Sequence, residues 1–278
     1  MKLSELSKAA ATHKPNHSIL LYGNPKTGKT RLVGTVAKIP EIKRIFWFDL
    51  ENGAETLLHM NLSPDELDKI NLIAISDTRE IPRGIETVLK AFSSKTPIKI
   101  CDLHGKVGCI ECEKTKASSV EFCMNSLTKS DLVVIDSGSQ LGDSALALAM
   151  AGRDITAKPG YDEYGMASKY LSDILSIIQA AFYTNFVVIT HVIPIEEEMN
   201  GVKRDRYFPL MGTRAMCQKV AKYFGTVVFV EIKMGKHAAG SSSLYRGDAT
   251  TGSRTNAKIE ASKELDMRSI LVEGGILA

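Results

Sequence analysis

With 278 residues, 44% of them hydrophobic, the chain can bury a sizeable core as one large α/β domain or two small ones. A net charge of +3 is too slight to identify a polyanionic partner. No apolar run reaches membrane-spanning length, and the opening "MKLSELSKAAATHKPNH" lacks the apolar core of a secretory signal, so a cytoplasmic protein without a membrane partner is expected.

After an N-terminal segment, residues 1–16, the run "HSILLYG" (17–23) reads as a strand buried on both faces. It leads into Gly23-Asn24-Pro25-Lys26-Thr27-Gly28-Lys29-Thr30, a G-x-x-x-x-G-K-T loop, and then into a helix predicted over 29–38 that carries Arg31. The glycines let successive N–H groups turn inward onto phosphate oxygens, and the helix adds the positive end of its dipole. Lys29 is expected at the β- and γ-phosphates of ATP, and the Thr30 hydroxyl in the shell of a Mg2+ ion. The next strand, "RIFWFDLE" (44–51), ends on Asp49 and Glu51 beside that loop; Glu51 is the candidate general base, orienting a water in line with the γ-phosphate, and Asp49 is a candidate for starting the following helix. A strand at 70–76 and a helix at 80–92 follow.

Four of the five cysteines then crowd one segment. "CDLHGKVGCIEC" sets Cys101 and His104 two residues apart, and Cys109 and Cys112 likewise, with glycines permitting tight turns. A structural Zn2+ site is expected in an insertion at about 97–124, with His104 completing the first knuckle or Cys123 replacing it as fourth ligand.

"DLVVIDS" (131–137) is the next strand; Asp136 at its end is the second Mg2+ acid, and Ser137 stands where many P-loop ATPases carry a glutamate. Helices at 139–150, 165–181 and 212–223 and strands at 185–191 and 225–233 complete an α/β, mainly parallel sheet covered by helices on both faces. The stretches 152–165 and 194–212 break this rhythm as long polar loops at the carboxyl edge of the sheet. Residues 234–258 are polar and glycine-rich and read as a mobile or hairpin-like arm, which closes the chain, over 234–278, with a terminal strand.

In order, "GNPKTGKT", "FDLENGA", "LVVIDSGSQL", "YDEYGMASKYLSDILSII" and "VVITH" resemble the RecA-type recombinases, and more closely the compact RecA-like ATPases of bacteriophages, often labelled AAA-family, that act as single-strand-binding recombination proteins. The resemblance covers most of 17–233 apart from the cysteine-rich insertion. It implies a RecA-like core over 17–233, ATP hydrolysis in a ring or filament of copies, and single-stranded DNA as partner, in a bacterial host's cytoplasm. It implies that Thr190 and His191, ending a strand, sense the γ-phosphate, with His191 assisting catalysis. The two irregular loops become DNA-facing, the second offering Lys203, Arg204, Arg206, Tyr207 and Phe208 to phosphates and unpaired bases. Lys233, Lys236, Arg254 or Lys258 would serve a neighbouring copy's nucleotide. Competing expectations are a nucleotide-gated loader or adaptor holding a single-strand-binding or replication protein through the zinc projection, and a P-loop small-molecule kinase.

Overall fold

The computed structural model describes residues 18–154, 156–181, 184–199, 201–242, 245–254 and 266–273. Its centre is a twisted sheet of β1 (Ser18–Gly23), β2 (Arg44–Asp49), β3 (Ile70–Ala74), β6 (Asp131–Asp136), β7 (Asn185–Met199) and β9 (Thr226–Lys233), all parallel, in the order β9-β1-β7-β6-β2-β3. The fold is RecA-like α/β: the strand leading into the P-loop lies between β9 and β7, and the Asp136 strand adjoins the one ending at Asp49. β-Branched and aromatic runs make these strands, and because successive side chains alternate faces, each run feeds two cores. Leu20, Tyr22, Phe46, Phe48, Val133, Ile135, Phe186 and Val188 face one side. Ile19, Leu21, Ile45, Trp47, Leu132, Val134, Val187 and Ile189 face the other.

The first face is covered by α4 (Arg83–Ser93), α6 (Gly138–Ala149), α7 (Tyr161–Ala180) and α8 (Arg214–Lys219), through residues such as Val88, Leu141, Ile174 and Met216. The second is covered by α1 (Lys29–Gly34) and the 3-10 turn Thr35–Lys38, and near the sheet edge by the short helices α2 (Glu55–Leu58) and α3 (Pro64–Leu67). α9 (Met267–Glu273) joins them: where a terminal strand is expected, Met267, Ile270 and Leu271 instead fall on one helical stripe and are buried in the second core. No helix among the described residues is long and apolar enough to cross a membrane.

The insertion is a small antiparallel pair, β4 (Ile98–Cys101) with β5 (Ser119–Phe122), enclosing the short helix α5 (Ile110–Thr115). Phe122 roots it in the first core, its ring centroid 5.1 Å from Phe46 and 5.4 Å from Phe48. Gly105, at φ +59, lies against β3; a Cβ there would meet Ala74 O at 2.5 Å, so only glycine allows that seat.

Two further segments form hairpins, the first of them expected as an irregular loop. β7 does not stop at His191 but runs on to Met199 and pairs antiparallel with β8 (Val202–Pro209). Residues 194–212 are therefore mostly hairpin, held because Ile195 and Phe208 bury against Cys217 at its base. Beyond Lys233 the arm turns back as β10 (Lys236–Gly240), antiparallel to β9, and the short β11 (Gly252–Ser253) pairs with the start of β9. Of the two expected forms of the arm, mobile or hairpin-like, these strands take the hairpin, continuous with the sheet; Lys258 lies outside the described residues.

Candidate nucleotide site and metal centre

The P-loop leaves β1 at Gly23, whose backbone is so close to β9 that a Cβ would stand 2.0 Å from Val230 O. Lys26 takes φ 63 and Gly28 φ 84, the left-handed turns that curl the loop before α1 begins at Lys29. Asn24, Pro25, Lys26 and Arg31 are exposed, Thr27 is buried with its hydroxyl on Asn24 O at 2.9 Å, and Gly28 is half-buried. Lys29 is buried, and its ammonium donates to Gly23 O at 3.0 Å and Asn24 O at 2.7 Å, two carbonyls of the loop it spans. Burial lowers its pKa to about 8 against the opposing pull of Asp136 and Glu51.

Thr30 Oγ1 donates to Asp136 Oδ2 at 2.9 Å, so the two expected magnesium ligands meet between the start of α1 and the end of β6. Burial pushes the Asp136 carboxyl up to about 7; the Thr30 hydrogen bond and Lys29 pull the other way, while Asp49 and Glu51 repel its charge. An acid enclosed in this way, beside a hydroxyl and two further carboxylates, fits the chemistry of a divalent-cation ligand.

The expected base lies in the same place. Ser137, the N-cap of α6, donates its hydroxyl to Glu51 Oε1, and His191 Nε2 stands 3.3 Å from Oε2. Burial raises the Glu51 pKa, but the hydrogen bonds from His191 and Ser137 and the charge of Lys29 outweigh it, so the carboxylate is held below its usual range and ionised. The residues just past β2 and β6 and a point midway along β7 thus bring Glu51, Ser137 and His191 together. Asp49 does not face this group alone: its carboxylate accepts from Gly53 N at 2.9 Å and Ala54 N at 3.0 Å, fixing the turn that carries Glu51. Among the described residues, the Thr190 hydroxyl and His191 Nδ1 are buried without a hydrogen-bond partner.

Sequence reasoning missed two residues. Ser137 was noted only as a missing glutamate, although a serine opening a helix is a cap signal. His237 on β10 gave no signal at all, being 210 residues from the loop it touches: its Nδ1 lies 2.8 Å from Thr27 O, and its ring covers Gly28, where a Cβ would come within 3.0 Å. With Nδ1 donating, His237 braces the P-loop from the sheet edge. His237→Ala is expected to raise the ATP dissociation constant about fivefold, the worth of roughly one hydrogen bond, while moving kcat less. His237→Asn, whose amide can donate to the same carbonyl, should recover most of that loss; titration with a fluorescent ATP analogue checks it.

The residues expected to face DNA are placed differently from one another. Phe208 is buried at the hairpin base, so its expected stacking on unpaired bases is corrected: the ring is occupied with Ile195, Cys217 and the guanidinium of Arg206, 5.5 Å away. Tyr207 is half-buried under Arg246, 4.7 Å from its ring. Lys203 pairs with Glu196 at 2.9 Å and Arg206 with Glu197 at 3.2 Å, so the glutamate run neutralises the basic side of its own hairpin; Arg204 is exposed. Of the cations expected to act on a neighbouring copy, Lys233 pairs with Glu231 at 3.1 Å, Arg254 holds Lys222 O at 2.7 Å, and Lys236 is exposed.

In the insertion, the ligand atoms of Cys101, His104, Cys109 and Cys112 all lie within 4.8 Å of one another. His104 Nδ1 is 3.9, 3.5 and 3.4 Å from the sulfurs of Cys101, Cys109 and Cys112. A tetrahedral zinc ion with ordinary bond lengths separates its nitrogen and sulfur ligands by about 3.5 Å, so the four atoms already stand near the corners of that polyhedron. Cys123 is outside the group and opens a 3-10 turn instead, which decides the fourth ligand in favour of His104.

A family model described as "AAA domain" matches residues 15–259. No curated protein matches. Among solved structures, the chain is similar to the RadB recombinase at 18% identity and a TM-score of 0.38, covering 81% of this chain and 80% of that one. It is similar to a prototypical ATPase from the type III secretion system of pathogenic bacteria at 12% identity and a TM-score of 0.49, covering 92% and 62%. A third similarity is to the assembled ATPase EscN of enteropathogenic E. coli at 10% identity and a TM-score of 0.44, covering 79% and 43%. The chain therefore spans less than two thirds of the length of either secretion ATPase.

Proposed function

Because the chain belongs to the AAA domain family, a P-loop ATPase of RecA-like fold, we propose that it is an ATP-dependent single-stranded-DNA-binding protein of recombination, of the kind bacteriophages encode, working as a ring or filament. The observation that carries this reading is the convergence of Glu51, Ser137 and His191 beside Lys29, on a strand, β7, that continues without a break from His191 into a projecting hairpin. A nucleotide-sensing side chain and a surface element then share one backbone.

In the reaction, the P-loop N–H groups and Lys29 hold the β- and γ-phosphates, and Glu51 takes the proton of a water that attacks the γ-phosphorus in line with the departing ADP oxygen. Ser137 and His191 each hold one oxygen of Glu51, fixing its direction and keeping it unprotonated. Thr30 and Asp136 are the residues that would hold Mg2+, which when bound neutralises charge on the phosphates. The Cys101, His104, Cys109 and Cys112 group would hold Zn2+ in a closed structural site.

ATP turnover, measured with and without single-stranded DNA, tests the reading. Stimulation of at least several-fold, together with DNA retention that requires ATP, is expected; neither effect occurring refutes the recombination role while leaving the ATPase assignment intact. One observation favours an adaptor as second reading: Leu103 and Ile110, one inside each knuckle, are 69% and 66% exposed. Slow turnover with stable capture of a purified replication protein, lost on Leu103→Ser, would favour it.

A further inference from the structure

Beside the catalytic group a cavity of about 560 Å³ opens between α6 and the segment leading into α7. Its volume falls in the range that takes a small organic ligand. Its apolar lining comes from Leu146 and Ala147 of α6, from Met150 just past that helix, and from Ala157 and Pro159 of the segment leading into α7. Such a slot suits a flat ring better than a branched side chain.

One end of the slot is polar. Asp77 there is already engaged, accepting from Gly84 N and Ser144 Oγ at 3.1 Å each and from Gln140 Nε2 at 3.3 Å. Asp143 is different: it lines the cavity as an exposed residue, and among the described residues no protein donor holds its carboxylate. It lies near enough to the base that, after burial, the charges of Glu51 and Asp77 also push its pKa up. The rim is cationic. Lys158 is exposed with no ion pair among the described residues, and Arg79 is exposed with a single long contact to Ala157 O at 3.5 Å. Two residues past Pro159, Tyr161 stands 98% exposed at the first position of α7.

Apolar lining, an exposed carboxylate acceptor on its wall, two cations and an aromatic ring alongside define one ligand chemistry. We propose that the cavity binds one unpaired nucleotide of a DNA strand, its base inserted with an amino group donating to Asp143 and its phosphate held by Arg79 and Lys158. The proposal rests on the reading of the chain as a single-strand-binding protein and adds a base preference to it. Cytosine and adenine offer an exocyclic amine to a carboxylate, whereas thymine offers only a carbonyl oxygen at the corresponding place, which the carboxylate repels. Tyr161 supplies a stacking surface for an adjacent base.

The test is fluorescence anisotropy of the full chain, with a non-hydrolysable ATP analogue and magnesium at one fixed salt concentration, on oligo-deoxycytidine and oligo-deoxythymidine of equal length. Binding to oligo-deoxycytidine about tenfold tighter is expected. Asp143→Asn should bring the ratio close to one, because the amide can accept from cytosine and donate to thymine. Arg79→Ala combined with Lys158→Ala should weaken both oligomers alike. Equal affinity of the unchanged chain for the two, or a preference that survives Asp143→Asn, overturns the pocket while single-strand binding stands. No binding of either oligomer overturns the functional reading beneath it. Displacement of the oligomers by free deoxycytidine monophosphate at micromolar concentration would overturn the strand as the source of the nucleotide.

Discussion

Glu51→Gln is expected to bind ATP with magnesium about as tightly as the unchanged chain and to turn it over roughly a hundred- to ten-thousand-fold more slowly, the usual contribution of a positioned general base. The substitution keeps the volume of the side chain and an oxygen for the Ser137 hydroxyl, so the turn capped by Asp49 has no reason to move. What it loses is the negative charge that takes a proton. His191 also loses a charged acceptor for Nε2, so His191→Ala should reduce turnover by a smaller factor through a less well-aimed Glu51. Single-turnover phosphate release after rapid mixing separates the two effects from binding. Normal hydrolysis by Glu51→Gln would mean that the base lies elsewhere.

Removing the metal from the insertion should have the second largest effect. Chelation or Cys109→Ser is expected to release one zinc ion per chain and to abolish hydrogen-exchange protection over residues 101–117. The strands β4 and β5 are four residues each, and the local buried cluster consists of Cys101, Cys109 and Cys112 themselves. Ile100 and Phe122 anchor the two strands in the first core, but the knuckles between them have little else to bury without the ion, and structural zinc supplies on the order of 10 kcal/mol to small domains of this kind. The loss should spread to the sheet edge, because Gly105 packs on Ala74 and its carbonyl accepts from Thr87 at 2.7 Å. It should stop short of the P-loop, which lies across the sheet on β1, so ATP affinity is expected to change little. Zinc analysis with exchange mass spectrometry checks both halves of this expectation; full protection without metal would contradict it.

The parts of this molecule that sequence made legible are those whose partners are close in the chain or whose chemistry demands one residue type. The P-loop needs its glycines and lysine in fixed order, and the two zinc knuckles need their spacing. Buried parallel strands such as the one ending in Asp136 show themselves as unbroken apolar runs. Glu51 and His191, 140 residues apart, were each placed at a strand end, but that they touch depends on β6 lying between β2 and β7. The hairpin over 194–212 was hidden because most of it is solvated on both faces and so lacks the alternation that marks a half-buried strand. Its signal is of another kind: an asparagine-glycine pair at 200–201 in sequence, with glutamates before it and basic residues after it, a pattern that favours a hairpin with charges facing across it. The final helix was misread because a stripe of three apolar residues in seven is too short to declare its period.

One property of β7 has a mechanical result. From His191 to Met199 the strand rises about 26 Å at the usual step per residue, and its foot is clamped: His191 N donates to the Ser139 hydroxyl at 2.8 Å, and that hydroxyl donates to Leu210 O at 3.0 Å on the returning side. Because the beam bends little compared with a loop, a tilt of about 5° at the carboxylate would swing its far end by roughly 2 Å. Loss of a single phosphate group would then be amplified into a displacement large enough to break or make a contact with whatever the tip touches.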